Sequence, residues 1–121
     1  MATTIVHYTP AQNVTVKADS DLKAGTFVEI AGDVDGRNPV VKTATANATA
    51  FGVPAKDTKK GSHVMVYRSG HIVEVAAQGA IKEGSAVKVA ASGKASTTGD
   101  GPTAGIAVSA AEGGVVQVAL A

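Results

Sequence analysis

The residues that could do chemistry in this chain are few. There are three histidines, His7, His63 and His71, and no cysteine. A zinc site wants its ligands held close, often two from one element. His63 and His71 flank a turn signal at Ser69-Gly70. In a hairpin centred there, their places on the two strands differ too much for one ion. They read as exposed strand histidines, and no metal is assigned. Asp33 and Asp35 could pair for acid–base work, but Asp-Val-Asp-Gly reads as a turn. As a calcium loop it lacks a third ligand and a terminal Glu. Gly99-Asp100-Gly101 lacks the Lys-Ser/Thr of a phosphate loop. Ser69 has no Gly-x-Ser-x-Gly elbow around it. The hairpin tip carries no lysine, which excludes a lipoyl or biotinyl carrier module. The chain is therefore expected not to be an enzyme and to carry no cofactor. One basic loop remains, Lys56, Lys59 and Lys60 around Asp57. It reads either as a solvated turn or as a contact for an acidic partner.

Composition narrows the scaffold that could position such residues. The 121 residues include 23 Ala, 18 Val and 14 Gly, but only 2 Leu, 2 Phe, 2 Tyr and no Trp. An apolar fraction of 45% permits a folded domain and argues against disorder. Scarce Leu and aromatics argue against a helical bundle and a deep ligand pocket. Small side chains bury little area each, so a domain built from them folds with a thin margin. Eleven basic and ten acidic residues give a net charge of +1, which leaves no basic footprint for nucleic acid. No run approaches the ~20 apolar residues of a membrane helix, and Met1 to Pro10 does not read as a signal peptide. The expectation is a soluble chain made in the cytosol, with neither nucleic acid nor membrane as partner.

The hydrophobic pattern alternates almost everywhere. Short runs at Val14–Val16, Thr26–Ala31, Val40–Thr45, Ala50–Val53, Ser62–Tyr67, His71–Val75, Ala86–Ala90, Gly105–Ser109 and Val115–Leu120 read as strands, separated by Gly, Asp and Ser. Ser62–Tyr67 and His71–Val75 around Ser69-Gly70 form the best hairpin signal. Ala44–Ala50 reads as strand or extended loop, and Ala107–Glu112 allows one helical turn. The predicted fold is all-β: a small compact barrel or sandwich of about 8–10 short strands. The chain also echoes itself. Leu22–Ala31 matches Ile81–Ala90 in the pattern apolar-Lys-x-Gly-small-strand, 59 positions on. Gly52-Val53 matches Gly105-Ile106, and the strand after Gly61 matches the strand after Gly113-Gly114. A duplicated β unit and chance in an Ala/Val/Gly-rich chain are both open.

Taken in order, these segments carry a resemblance over roughly residues 14–121. Gly25, Gly52-Val53, Gly61, Gly84, Gly105-Ile106-Ala107 and Gly113-Gly114 each precede or open a strand. In this they resemble the small capsid decoration, or cement, proteins of tailed bacteriophages. Pro54 departs from that pattern and favours an edge position for its strand. The resemblance implies a structural virion protein made in the host cytoplasm. It would bind the capsid exterior, contact the major capsid protein, self-associate as a homotrimer and stabilise the head. None of this needs catalytic residues.

Residues 1–12 lack the pattern of the β-rich domain at 13–121. They read as an arm or as a first strand of the domain. His7, Tyr8 and Pro10 are candidate capsid contacts, together with Lys56, Lys59 and Lys60. The rival reading is a surface or secreted β-module that binds carbohydrate or a host surface. The shortage of aromatic platforms counts against it.

Overall fold

The computed structural model describes residues 2–8 and 11–121. It is an all-β sandwich of two five-stranded sheets. The first sheet uses β1 (Asn13–Ala18), β2 (Val28–Asp35), β3 (Asn38–Thr43), β4 (Val53–Pro54) and β5 (His63–Tyr67). The second uses β6 (Ile72–Ala76), β7 (Ala86–Val89), β8 (Ala95–Ser96), β9 (Thr103–Ala107) and β10 (Val115–Leu120). The only helical element described is a three-residue 3-10 turn at Ala91–Gly93. Ala44–Ala50 is a loop with a turn at Ala46-Asn47.

The strand orders are β2-β3-β1-β5-β4 and β6-β10-β9-β7-β8. Each sheet curls until its two ends touch. Val28 bridges Gly52 to join β2 to β4, and Ala77 bridges Ala95 to join the end of β6 to β8. The two rings are then the same ring. β1 pairs antiparallel with β5 as β6 does with β10, and β5 with β4 as β10 does with β9. β2 pairs with β3 as β7 does with β8. The Val28–Gly52 bridge corresponds to the Val87–Gly105 pair, and the parallel β1–β3 contact to the parallel Ala77–Ala95 bridge. The echo in the sequence is thus a duplicated five-strand lobe.

The duplication explains two glycines. A side chain on Gly52 would meet the Tyr67 carbonyl oxygen at 2.5 Å, and one on Gly105 the Ala119 carbonyl oxygen at 2.4 Å. These are equivalent crossings of β4 over β5 and of β9 over β10. Neither glycine is there for an unusual φ. Both are there because backbone passes too close for a Cβ.

Alternate strand residues fill the lobes. Val14, Val16, Ala18, Leu22, Val28, Val41, Val64 and Val66 form the core of the first lobe. Val75, Ile81, Val87, Val89, Ala95, Ala104, Ala107, Val116, Val118 and Leu120 form most of the second. Phe27, Ala44 and Val53 of the first lobe are also buried in that second cluster, with Tyr67 packed against it. Phe27 donates its N–H to the Gly93 carbonyl at 2.8 Å and Ala76 donates to the Gly25 carbonyl at 2.8 Å, fastening lobe to lobe.

One expectation is corrected. β5 and β6 do not form a hairpin. β5 is flanked by β1 and β4, and β6 pairs with β10 in the other sheet. Ser69-Gly70, with Gly70 at φ 102°, is the corner between lobes. Alternation reports which residues face a core, not which strand lies alongside, so a corner and a hairpin look alike in sequence. The tight hairpin is β2–β3, turning at Gly36-Arg37. β4 with Pro54 does end its sheet's strand order, as the proline suggested.

Two substitutions test this packing by urea unfolding. Phe27→Ala removes the largest side chain at the lobe junction and is expected to cost about 3–5 kcal/mol. Gly105→Ala is expected to cost roughly 1–3 kcal/mol from backbone crowding. Gly32→Ala, where nothing lies within 4 Å of a new Cβ, is expected to stay within about 0.5 kcal/mol of the parent.

Candidate docking surfaces

The six residues singled out from the sequence fall in two places. Residues 2–8 contribute no strand. Tyr8 is half-buried against the first-lobe core, and its phenol O–H donates to the Arg37 carbonyl at 2.8 Å. The segment before it is displayed: His7 is exposed, Val6 is 64% exposed and Ile5 80%. Pro10 lies outside the described residues. Tyr8 stands 59 positions before Tyr67 and does for the first core what Tyr67 does for the second.

Lys56, Lys59 and Lys60 lie on the β4–β5 loop, all exposed. This loop is tied down. Leu22 and Thr58 exchange backbone hydrogen bonds at 2.8 and 3.0 Å. Asp57 accepts from the Ala24 N–H at 2.9 Å, and Asp21 from the Lys60 N–H at 2.9 Å. The Lys59 ammonium also lies 3.9 Å from Asp21, an exposed pair of little energetic weight. Two aspartates therefore give the loop a fixed shape and offset part of its charge. Tyr8 and the lysines are held by different elements and do not make one site.

The remaining chemical groups are engaged or dispersed. His63 pairs with Lys17 across β5 and β1, whereas His71 sits on the interlobe corner with its ring 4.9 Å from that of Tyr67. Among the described residues no three His, Asp or Glu side chains gather as a metal site. A groove of about 460 Å³ is lined by Glu29, Ile30, Asn47, Phe51 and Arg68 among others. The Arg68 guanidinium lies 4.3 Å from the centre of the Phe51 ring and donates to the Phe51 carbonyl at 2.9 Å, so the chain itself engages that cation.

The strongest surface feature was not singled out from the sequence. On the outside of the second sheet, Ile72, Ala119, Ile106 and Ala86 stand side by side on four neighbouring strands. Ile72 is 61% exposed and Ile106 53%. Val108 and Val115 are exposed near this row. Beside it, Glu74 and Gln117 form an ordinary polar cross-strand pair. Sequence alternation marks each apolar residue singly; only the register lines them up.

Comparison with known proteins gives a consistent result. The sequence pattern of a family described as phage cement protein matches residues 6–121. Among solved structures, the chain is similar to the head fiber N base of bacteriophage phi29. The sequences are 26% identical, with a TM-score of 0.72, 90% of this chain covered and 92% of the other. No curated protein matches the chain.

One ion pair provides a pH test of the β2–β3 hairpin. Lys17 donates to Asp35 at 2.6 Å. This hydrogen bond, reinforced by the ammonium charge, holds the Asp35 carboxyl below its usual 3.8. The same bond, reinforced by the Asp35 charge, raises the Lys17 ammonium above 10.5. The Asp35 contribution to stability is present above pH 3.8 and is lost as pH falls through the lowered pKa. The Lys17 contribution is present below pH 10.5 and is lost as pH rises through the raised one. In Lys17→Met, an NMR titration should find the Asp35 carboxyl moved up toward 3.8; an unmoved value would assign the depression to another group.

Proposed function

The chain belongs to the phage cement protein family, and from that membership we propose that it binds the outside of a phage head and stabilises the lattice of the major capsid protein. It is a structural protein of the phage virion. The observation that carries the proposal is the family match over residues 6–121, joined to a fold similar to a head fiber N base along most of both chains. The work asked of such a protein is adhesion rather than catalysis, and its surfaces suit adhesion. Exposed lysines on a braced loop supply directional charge for an acidic patch. Many copies on a repeating shell add their contacts, so no single site needs depth. We propose further that the chain is not an enzyme, that it is made in the host cytoplasm, and that it acts as a homotrimer.

Lys56, Lys59 and Lys60 are the proposed capsid contacts, since Tyr8 already spends its hydroxyl on Arg37. The test is co-sedimentation with empty heads built from the major capsid protein, followed by heating of the loaded heads. Loaded heads should break at a higher temperature than bare ones. Replacing the three lysines by Glu should weaken binding about tenfold at low salt and less at high salt, because exposed charges are screened. A chain that leaves the heads in the supernatant, or coats them without altering their thermal release, would refute the proposal.

A further inference from the structure

The duplication allows one lobe to be read against the other. The exposed row Ile72–Ala119–Ile106–Ala86 has a counterpart in the first lobe, fixed by the pairings. Asn13 pairs with Tyr67 as Ile72 does with Ala119, and Tyr67 with Val53 as Ala119 does with Ile106. The Val28–Gly52 bridge puts Phe27 opposite Val53, as Ala86 is opposite Ile106. The counterpart row is therefore Asn13–Tyr67–Val53–Phe27.

Apart from Asn13, which is exposed, that row is covered. Phe27 is 0% and Val53 2% accessible, both within the second-lobe cluster, and Tyr67 packs there too. The outer row of the first lobe is the surface that seals the second lobe. The second lobe carries the same row and has nothing on it among the described residues. The core of the first lobe is sealed differently, by Tyr8, Ala11 and Phe51. Just before Tyr8, the chain displays Ile5 and Val6.

Resting on the reading of this chain as one of many copies on a shell, we propose that copies associate head to tail. The row Ile72–Ala119–Ile106–Ala86 of one copy seats on the N-terminal end of the next copy's first lobe, against Ile5 and Val6. The contact repeats between molecules the stacking that joins the lobes within one molecule. Neither the row nor Ile5-Val6 contains a charged residue, so closure leaves no carboxylate or ammonium unpaired in the row. The two surfaces differ, so the interface is heterologous: it closes into a ring if the rotation allows, such as the trimer proposed above.

Two variants, each defective on one side only, test this. Ile106→Asp places a carboxylate in the row. The double variant Ile5→Asp/Val6→Asp does so at the N-terminal end. All three positions are exposed, so circular dichroism and melting should match the parent. By analytical ultracentrifugation the parent should associate, and each variant should lose association at least about 100-fold, because the contact would bury an unpaired charge. Mixed one to one, the variants should form dimers, since one still has the row and the other still has the end. A parent that is monomeric, variants that associate like the parent, or a mixture that stays monomeric would each overturn the proposal. So would an Ile106→Asp chain that associates normally but loses its heads, since the row would then face the capsid. Head binding is read separately. Association without head binding refutes the function and leaves this contact standing; monomers that still coat heads do the reverse.

Discussion

The fold depends on one physical constraint: side chains this small cannot fill a five-strand lobe unaided. A curled sheet of Ala and Val leaves a core with an open side, and water there would cancel much of what burial contributes. The second lobe meets the constraint by borrowing. Phe27, Val53 and Tyr67 come from the outer row of the first lobe, and Phe27 is the largest fully buried side chain. The first lobe uses Tyr8, Ala11 and Phe51 instead. The scarcity of large apolar residues and the two-lobe architecture are therefore the same fact. The few bulky residues lie where small ones could not close a gap.

This accounts for what could be read in the sequence. Alternation located strands because each strand buries one face. Pro54 marked a strand at the end of its sheet, whereas Gly52 and Gly105 stood out only as an echo, and the close backbone crossings they permit were not legible. The echo between Leu22–Ala31 and Ile81–Ala90 was legible because a lysine, a glycine and a strand recur at fixed spacing. The equivalence of β1 and β6 was not legible: Asn-Val-Thr-Val-Lys and Ile-Val-Glu-Val-Ala share only their alternating valines. The corner at Ser69-Gly70 was misread because a glycine turn between two alternating runs has the same pattern whether the chain returns or crosses. The lysine loop could be named from sequence, but not its bracing by Asp21 and Asp57, which depends on Leu22 meeting Thr58. The apolar row lies furthest from sequence reading, because its four residues come from four strands and become neighbours only through the register.

The same architecture bears on function. The described residues present broad sheet faces and a loop of three exposed lysines braced by Asp21 and Asp57. Such surfaces bind weakly one at a time and strongly when copies are arrayed. A shell of identical subunits supplies that array, and family membership places the chain on a virion, where contacts of this kind are useful.

The two rows also differ in a way that their settings explain. An antiparallel sheet with one face in water usually carries polar residues on that face, as Glu74 and Gln117 do beside the row. An apolar row of four in that setting departs from the pattern. Where the row is permanently covered, it carries Phe27, Val53 and Tyr67. Where it is uncovered, it carries Ala86, Ile106 and Ala119. A Phe at position 86 would deepen any contact made there, but it would also expose an aromatic β-surface on every free copy, which invites indiscriminate association. Alanine at 86 and 119 with isoleucine at 72 and 106 keeps the uncovered row apolar without placing an aromatic ring on it.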